Sequence, residues 1–428
     1  MNILNKKLSI PKDVIVICED DKYLLIRSNV PNWIVVNKNS ALLISKLDGD
    51  KTNMAVLDDL CLTGKAREDA IYFLEYELLS FIDSEKMPSR KQKILKSVHL
   101  NIGETCNLKC CYCYASCRPS SDTIMSNKDY IKLLNDIKTI SDNNTVISFT
   151  GGEPLLYKDV LRIAAQAKYL GFTNYLLTNG TLIDSHNAKN LTKYFDIIKI
   201  SVDGVDRETH DYHRGKGSYD KIISAISVLE DVNANLSIVM TVTKRNISHV
   251  GRMAAIYGQK LTFQPLFNAG SAKGKDLQIT GEEYYEALYE NEKISAIGNI
   301  SRTLEMTRYN GTTKCAVGDV EISISAGGDV YPCHLLHEEQ FKCGNVLINS
   351  ICDIYFQSDI LSNFRNLNVD EFLGCKDCTV KYICGGSCRA RSYFTTGTLN
   401  GCDDFCCYEK LAYIKGIFDN YNIMLCET

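Results

Sequence analysis

The chain has 428 residues, 45% of them hydrophobic and 23% charged, with 48 basic against 52 acidic side chains and a net charge of −4. That length predicts about two to four domains with a large buried core, and the composition excludes long disorder. The charge balance excludes a general pull toward nucleic acid or an anionic membrane, no stretch reaches the ~20 apolar residues that span a bilayer, and the N-terminus carries no signal-peptide pattern, so a soluble cytoplasmic protein is expected.

Apolar runs at 14–17 and 23–26 flank an acidic turn at 19–22 and predict a hairpin, with a third strand at 33–36. Helices are predicted at 40–47 and 66–81, the second presenting Ile71, Leu74, Leu78 and Phe81 on one face. Strands with small helices in residues 1–85 predict a winged-helix-like unit. Its ten basic against fourteen acidic residues suit a phosphate backbone poorly. Peptide binding by strand addition at the hairpin edge fits better, and a unit that only packs against the rest is the plain alternative.

A polar, basic stretch at 86–97 reads as a linker. Beyond it, strand patterns at 98–102, 146–150, 174–178, 197–201, 236–242 and 261–265 alternate with helical patterns at 128–140, 160–169, 219–232 and 248–257. Six βα units in a row predict an α/β fold with a parallel sheet, either doubly wound or an incomplete barrel. Both place the active site in the loops at the carboxyl ends of the strands.

The 19 cysteines are unevenly spread: five lie between Cys106 and Cys117, and twelve between Cys315 and Cys426, with none in the long interval separating the groups. An odd number in a cytosolic chain argues against a disulfide scaffold and for metal or cluster sites. Cys106, Cys110 and Cys113 form Cx3CxxC in the loop after the first strand of the array. Three thiolates at this spacing hold an iron–sulfur cluster with one iron left open, whereas a structural zinc site usually closes with four ligands in two pairs. Cys111 reads as a packed small side chain, Cys117 has no role, and Cys18, Cys61, Cys352 and Cys426 read as ordinary thiols. His334 and His337 read as surface or hydrogen-bonding groups.

This motif, with Tyr112 before its last cysteine, resembles the signature of the radical S-adenosylmethionine (radical SAM) superfamily. The resemblance continues in order: Gly151, Gly152, Glu153 and Pro154 match its GGEP segment, Thr178-Asn179-Gly180 ends the third strand similarly, Ser201 and Asp203 match SxDG, and Arg214 matches a position that pairs with the SAM carboxylate. It covers roughly residues 95–270. It implies a partial (β/α)6 barrel in which the open iron chelates SAM and one electron cleaves it to methionine and a 5′-deoxyadenosyl radical.

The C-terminal spacing resembles the SPASM domain, a twin-cluster extension of radical SAM maturases. That resemblance assigns Cys315, Cys333 and Cys388 to one auxiliary cluster and Cys375, Cys378 and Cys384 to a second, whose last ligand comes from among Cys402, Cys406 and Cys407, with Cys406 the choice and Cys407 the runner-up. Cys343, or an iron left open to substrate, would complete the first. A zinc ribbon is the alternative. The expected domains are 1–85 (leader recognition), 98–310 (barrel) and 311–428 (SPASM), and the expected cofactors are three 4Fe–4S clusters and SAM. In the first unit the pattern Trp33-Ile-Val-Val-Asn-Lys…Leu-Leu…Leu-Asp-Gly-Asp is similar to the PqqD-like leader-recognition element. Together these imply a maturase that installs a thioether in a ribosomally made precursor peptide, served by an external electron donor, with no nucleic acid or membrane partner. Carbon–carbon crosslinking and anaerobic sulfatase maturation are the rival enzymatic readings. An electron carrier or redox-sensing regulator is the non-enzymatic one.

Overall fold

The computed structural model describes residues 2–83, 94–115, 124–290 and 312–425. Cys117, Cys426 and residues 86–93 of the expected linker lie outside them. In the N-terminal unit β1 (Val14–Glu19), β2 (Lys22–Arg27) and β3 (Trp33–Asn37) form an antiparallel sheet in that order. The hairpin turns on Asp20, whose positive φ of 53° an aspartate tolerates better than most residues. Helices Lys38–Ile44 and Asn53–Asp59 follow, the second not among those expected. The helix expected at 66–81 runs Gly64–Tyr72, continues through a π-helical stretch Phe73–Leu78 and ends with Leu79–Ile82. The wider turn moves the buried face, so Phe73 is buried and Ile71 is only partly so.

This small sheet is covered on both sides. Leu25, Ile34 and Val36 pack on the unit's own helices, while Leu24, Ile26 and Trp33 join the main core of the molecule. Double coverage explains why β2 is apolar at consecutive positions rather than alternate ones.

The main sheet carries β4 (Leu95–Asn101), β5 (Ser141–Thr150), β6 (Thr173–Thr178), β7 (Ile197–Ser201), β8 (Leu236–Val242) and β9 (Leu261–Pro265), all parallel and in sequence order. An unbroken order means that every crossover winds the same way, so the array is an open barrel and not a doubly wound sheet. Helices Asn127–Thr139, Val160–Tyr169, Ala188–Tyr194, Arg207–Arg214, Ser218–Asp231 and Val250–Tyr257 connect the strands. Val98, Leu100, Ile147, Phe149, Leu176, Ile198, Ile200, Ile238 and Met240 turn toward the helices and are buried. The alternate residues, among them His99, Tyr175, Lys199 and Thr241, are half-buried and line the inner face.

The sheet does not end at β4. Strand β10 (Glu321–Ile324) pairs parallel to it with Ser323 opposite His99, and β11 (Asp329–Tyr331) and β12 (Gly344–Asn345) add antiparallel beyond. The cysteine-rich C-terminal segment is thereby built onto the barrel's first edge. Its longest helix, Phe405–Leu425, packs on helix Gly281–Glu290, whose first N–H donates to Asp404 Oδ2 at 2.8 Å.

Candidate functional site

The loop carrying Cys106, Cys110 and Cys113 leaves the carboxyl end of β4 and is held from two sides. On one side the backbone of the next strand end lies directly against it: Gly152 N donates to Gly103 O at 2.8 Å and Glu153 N to Thr105 O at 2.9 Å. A Cβ at Gly151 would stand 2.2 Å from Gly103 O, and one at Gly152 2.2 Å from Thr105 O. The paired glycines are therefore required for this approach whatever else they bind. On the other side Cys111 N donates to His213 O (2.8 Å), Ser271 N to Cys113 O (2.8 Å) and Lys275 Nζ to Cys111 O (2.6 Å). Cys106 Sγ accepts from Leu108 N at 3.5 Å and from Asn179 Nδ2 at 3.8 Å.

The Cys110 thiol feels both Cys113 and Cys106, and burial pushes its pKa up to about 11. Three such thiols fit a positively charged iron centre, which favours the thiolate where burial alone opposes it.

Glu153 is buried beneath the loop and accepts from Thr178 Oγ1 (2.8 Å), Asn179 N (2.8 Å) and Leu155 N (3.1 Å). Its carboxylate ties the end of β5 to the end of β6, and Pro154 opens the short turn Pro154–Leu156 that follows. Ser201 closes β7 and is half-buried. Asp203 is fully buried: Arg214 Nε donates to Oδ2 at 2.5 Å, Thr241 N to Oδ1 at 3.1 Å, and the Tyr112 hydroxyl also donates to it. Arg214 Nη2 donates to the same hydroxyl at 2.7 Å. Burial opposes the Asp203 charge, but Arg214 and the neighbouring histidines outweigh it and hold the carboxyl below its usual range. Arg214, expected as a partner for a ligand carboxylate, thus already braces the cysteine loop through Tyr112. Its Nη1 has no hydrogen bond among the described residues.

Cys315, Cys333 and Cys388 come together in one pocket, packed among Val317, Tyr331, Leu336, Phe341 and Phe364, with Leu335 N donating to Cys333 Sγ at 3.4 Å. Burial raises the Cys315 thiol to about 12. The second group brings Cys375 beside Cys378, Cys384 and Cys402, and the Cys402 and Cys406 thiols both donate to Asp403, to its carbonyl at 3.6 Å and to Oδ1 at 3.4 Å. The Cβ position of Gly374 is 3.1 Å from Cys402 Sγ, so a side chain there would displace it. Ser387 N donates to Cys384 Sγ at 3.1 Å. Cys407 is exposed. Cys343 donates to Phe341 O and faces Ser358 and Arg365 rather than the first group.

Of the two histidines after Cys333, His337 takes the hydrogen-bonding role expected of it: it stacks on Tyr331 at 4.3 Å and bonds Ser323 Oγ through Nε2 at 2.8 Å. His334 stacks on His99 at 4.2 Å and meets Tyr114 edge-on at 6.0 Å. With Glu321, 3.5 Å from His99 and 3.8 Å from His334, these residues form a polar constellation on the inner face, between the Cys113 loop and Cys333. Sequence spacing could not show it, because the three residues reach the site on β4, β10 and the loop after β11.

Residues 100–255 match the family profile of the Radical SAM superfamily, and residues 315–379 match that of SPASM, an iron–sulfur cluster-binding domain. The chain carries a Radical SAM domain followed by a SPASM domain, and it is an enzyme of the radical SAM class. An AdoMet-dependent heme synthase of Methanosarcina barkeri is 26% identical over 71% of this chain and 93% of its own length. The mycofactocin maturase MftC of Mycolicibacterium smegmatis is 27% identical over 70% and 80%. The solved structure of Streptococcus suis SuiB bound to its precursor peptide SuiA aligns with 92% of this chain and 98% of that one, at 17% identity and a TM-score of 0.58, which is a likeness of fold. No helix among the described residues is long and apolar enough to cross a membrane.

Proposed function

We propose that this enzyme is a peptide maturase that joins a cysteine sulfur to a carbon of a ribosomally made precursor peptide. The observation that carries the reading is the N-terminal unit. Its edge strand β1 has a side unpaired among the described residues, with Val16 exposed, beside a cleft of about 520 Å³ lined by Val16, Tyr23, Leu25, Ala41 and Ile44. An apolar cleft along a free strand edge suits an extended leader segment, whose backbone adds to the sheet while alternate side chains enter the cleft. The same chain holds the barrel, so the core peptide is delivered at high effective concentration. The peptide-bound SuiB structure and the maturase among the relatives support the same substrate class.

In this reading Cys106, Cys110 and Cys113 hold the SAM-site cluster. Glu153 with the Gly151–Gly152 backbone, Ser201 and Arg214 Nη1 receive the SAM amino, ribose and carboxylate groups. The two C-terminal cysteine groups hold two auxiliary clusters, making three 4Fe–4S clusters in all, reduced from outside by an external donor. When bound, SAM and its cluster supply a hydrogen-abstracting radical, and the auxiliary clusters an electron sink. The protein's own residues position the substrate and keep water out. Forming the thioether removes one hydrogen atom from carbon, one proton from sulfur and one electron, a loss of two hydrogens overall. The thiols, free throughout the described residues, suit a reducing cytoplasm.

The test is Val16→Asp in the full chain, assayed with a Cys-containing precursor by mass spectrometry. The wild type is expected to give a product two hydrogens lighter with a sulfur–carbon link. The variant is expected to lose at least tenfold in processing while still cleaving SAM. Equal processing by both sinks leader docking at β1, and a carbon–carbon link in the wild-type product sinks the thioether.

A further inference from the structure

Arg389 is the largest fully buried side chain among the described residues, with 1% of its surface exposed. Its Nη1 donates to the carbonyls of Leu399 (2.7 Å) and Gly401 (3.0 Å), and its guanidinium lies 4.3 Å from the centre of the Phe372 ring. Nε and Nη2 have no hydrogen-bond partner, and no carboxylate pairs with this cation among the described residues. Arg391, two residues on and also buried, shows what the fold does with an ordinary buried arginine: Asp403 meets its Nε at 2.6 Å and Glu409 its Nη2 at 3.2 Å. A buried guanidinium without an anion is costly, so a fold that keeps one places negative charge beside it by another route.

The surroundings of Arg389 identify that route. It follows Cys388 of the first C-terminal group directly. The carbonyls that anchor it belong to the strand of backbone leading into Cys402 of the second group, and Phe372, beneath it, packs with Cys375. Its charge is felt by Cys315 on one side and by Cys375 and Cys402 on the other. Arg389 thus lies against the surroundings of both groups with no carboxylate paired to it among the described residues.

We propose that Arg389 is the electrostatic bridge between the two auxiliary clusters, a positioning residue whose unpaired cation offsets the negative charge of both and raises both reduction potentials. The inference rests on the reading that each C-terminal cysteine group holds a cluster. A cluster with thiolate ligands is anionic and gains a further negative charge on reduction. A cation held beside it in a dry interior therefore favours the reduced state, and one cation shared by two clusters moves their potentials together.

The test uses the full chain with Cys106, Cys110 and Cys113 replaced by Ala, so that only the auxiliary clusters report, and follows iron content and an EPR-monitored redox titration. Arg389→Met is expected to keep its iron and to lower the reduced-to-oxidised ratio of both clusters tenfold or more at fixed potential, a shift of about 59 mV for a one-electron couple. Arg389→Lys, which keeps the charge, is expected to stay near the parent. Unchanged potentials in an iron-replete Arg389→Met protein overturn the proposal, as do equal shifts in the Lys and Met variants. Should Arg389→Met lose its iron, Arg389→Gln is compared with Arg389→Lys, and equal potentials again overturn it. A parent without C-terminal iron overturns the cluster reading itself, an outcome distinct from failure of the Arg389 role.

Discussion

Tyr112, Asp203 and Arg214 show how single residues brace the cysteine loop. They bring together two distant segments, Tyr112 lying 91 residues from Asp203 and 102 from Arg214. All three are buried, so each depends on the others for its polar partner. Removing one partner of a buried ion pair leaves the other uncompensated, and Asp203→Ala is expected to cost about 3–5 kcal/mol of stability. Tyr112→Phe removes a hydrogen bond to a charged group and is expected to cost about 1.5–3 kcal/mol. Urea unfolding of the full chain measures both. A loss below about 1 kcal/mol for Asp203→Ala would mean that Arg214 finds water or another anion, since an exposed pair is worth no more than that.

At the scale of elements, the contact between the N-terminal sheet and the barrel is the informative one. Leu24, Ile26 and Trp33 belong to the barrel's own core, so this unit is docked rather than tethered. Trp33 is the single tryptophan of the chain, and its emission reports on the contact. Leu24→Ala leaves a cavity against the barrel and is expected to cost about 2–5 kcal/mol, with a red shift of Trp33 emission at lower urea than in the wild type. An unshifted midpoint would show that the two bodies melt independently. The same contact makes deletion of the whole unit a poor test of leader binding, because it would bare apolar surface on the barrel; an exposed-edge substitution avoids that.

Across the whole molecule, histidines that their surroundings keep neutral set an acid limit. Burial lowers His99 from the usual 6.5 to about 3, and His210 and His337 each to about 4. A group with a depressed cationic pKa stays unprotonated in the folded state while the unfolded chain takes up its proton below about 6.5. The unfolded state therefore binds more protons between about 6.5 and 4, and stability rises with pH across that window and falls as the solution is acidified through it. Each fully titrating histidine contributes up to about 1.4 kcal/mol per pH unit. Urea midpoints measured from pH 7 to 4.5 are expected to fall steadily, and a flat profile would mean that these rings are protonated in the folded protein.

Much of the architecture was legible locally. The β8 segment alternates buried and half-buried residues without a break, and the six βα units, the first three strands and the Cx3CxxC spacing are all short-range patterns set by side-chain period and burial. The direction in which successive crossovers wind is not a local property, so the choice between an open barrel and a doubly wound sheet waited for the strand order. Nor could spacing show that β10 would extend the sheet from β4, that Cys402 would stand beside Cys375, or that Cys343 would face Arg365 away from the first C-terminal group. His334 read as a surface or hydrogen-bonding group because a single polar side chain after a cysteine carries no periodic signal; its stacking on His99 comes from strands more than two hundred residues apart in the chain. The sequence by itself determined the elements and the residue types that bear the chemistry, since backbone preference and burial period act over a few neighbours. Only the tertiary structure decided which of those residues meet, because contacts between distant segments are selected by how whole faces pack and by which buried charges find partners.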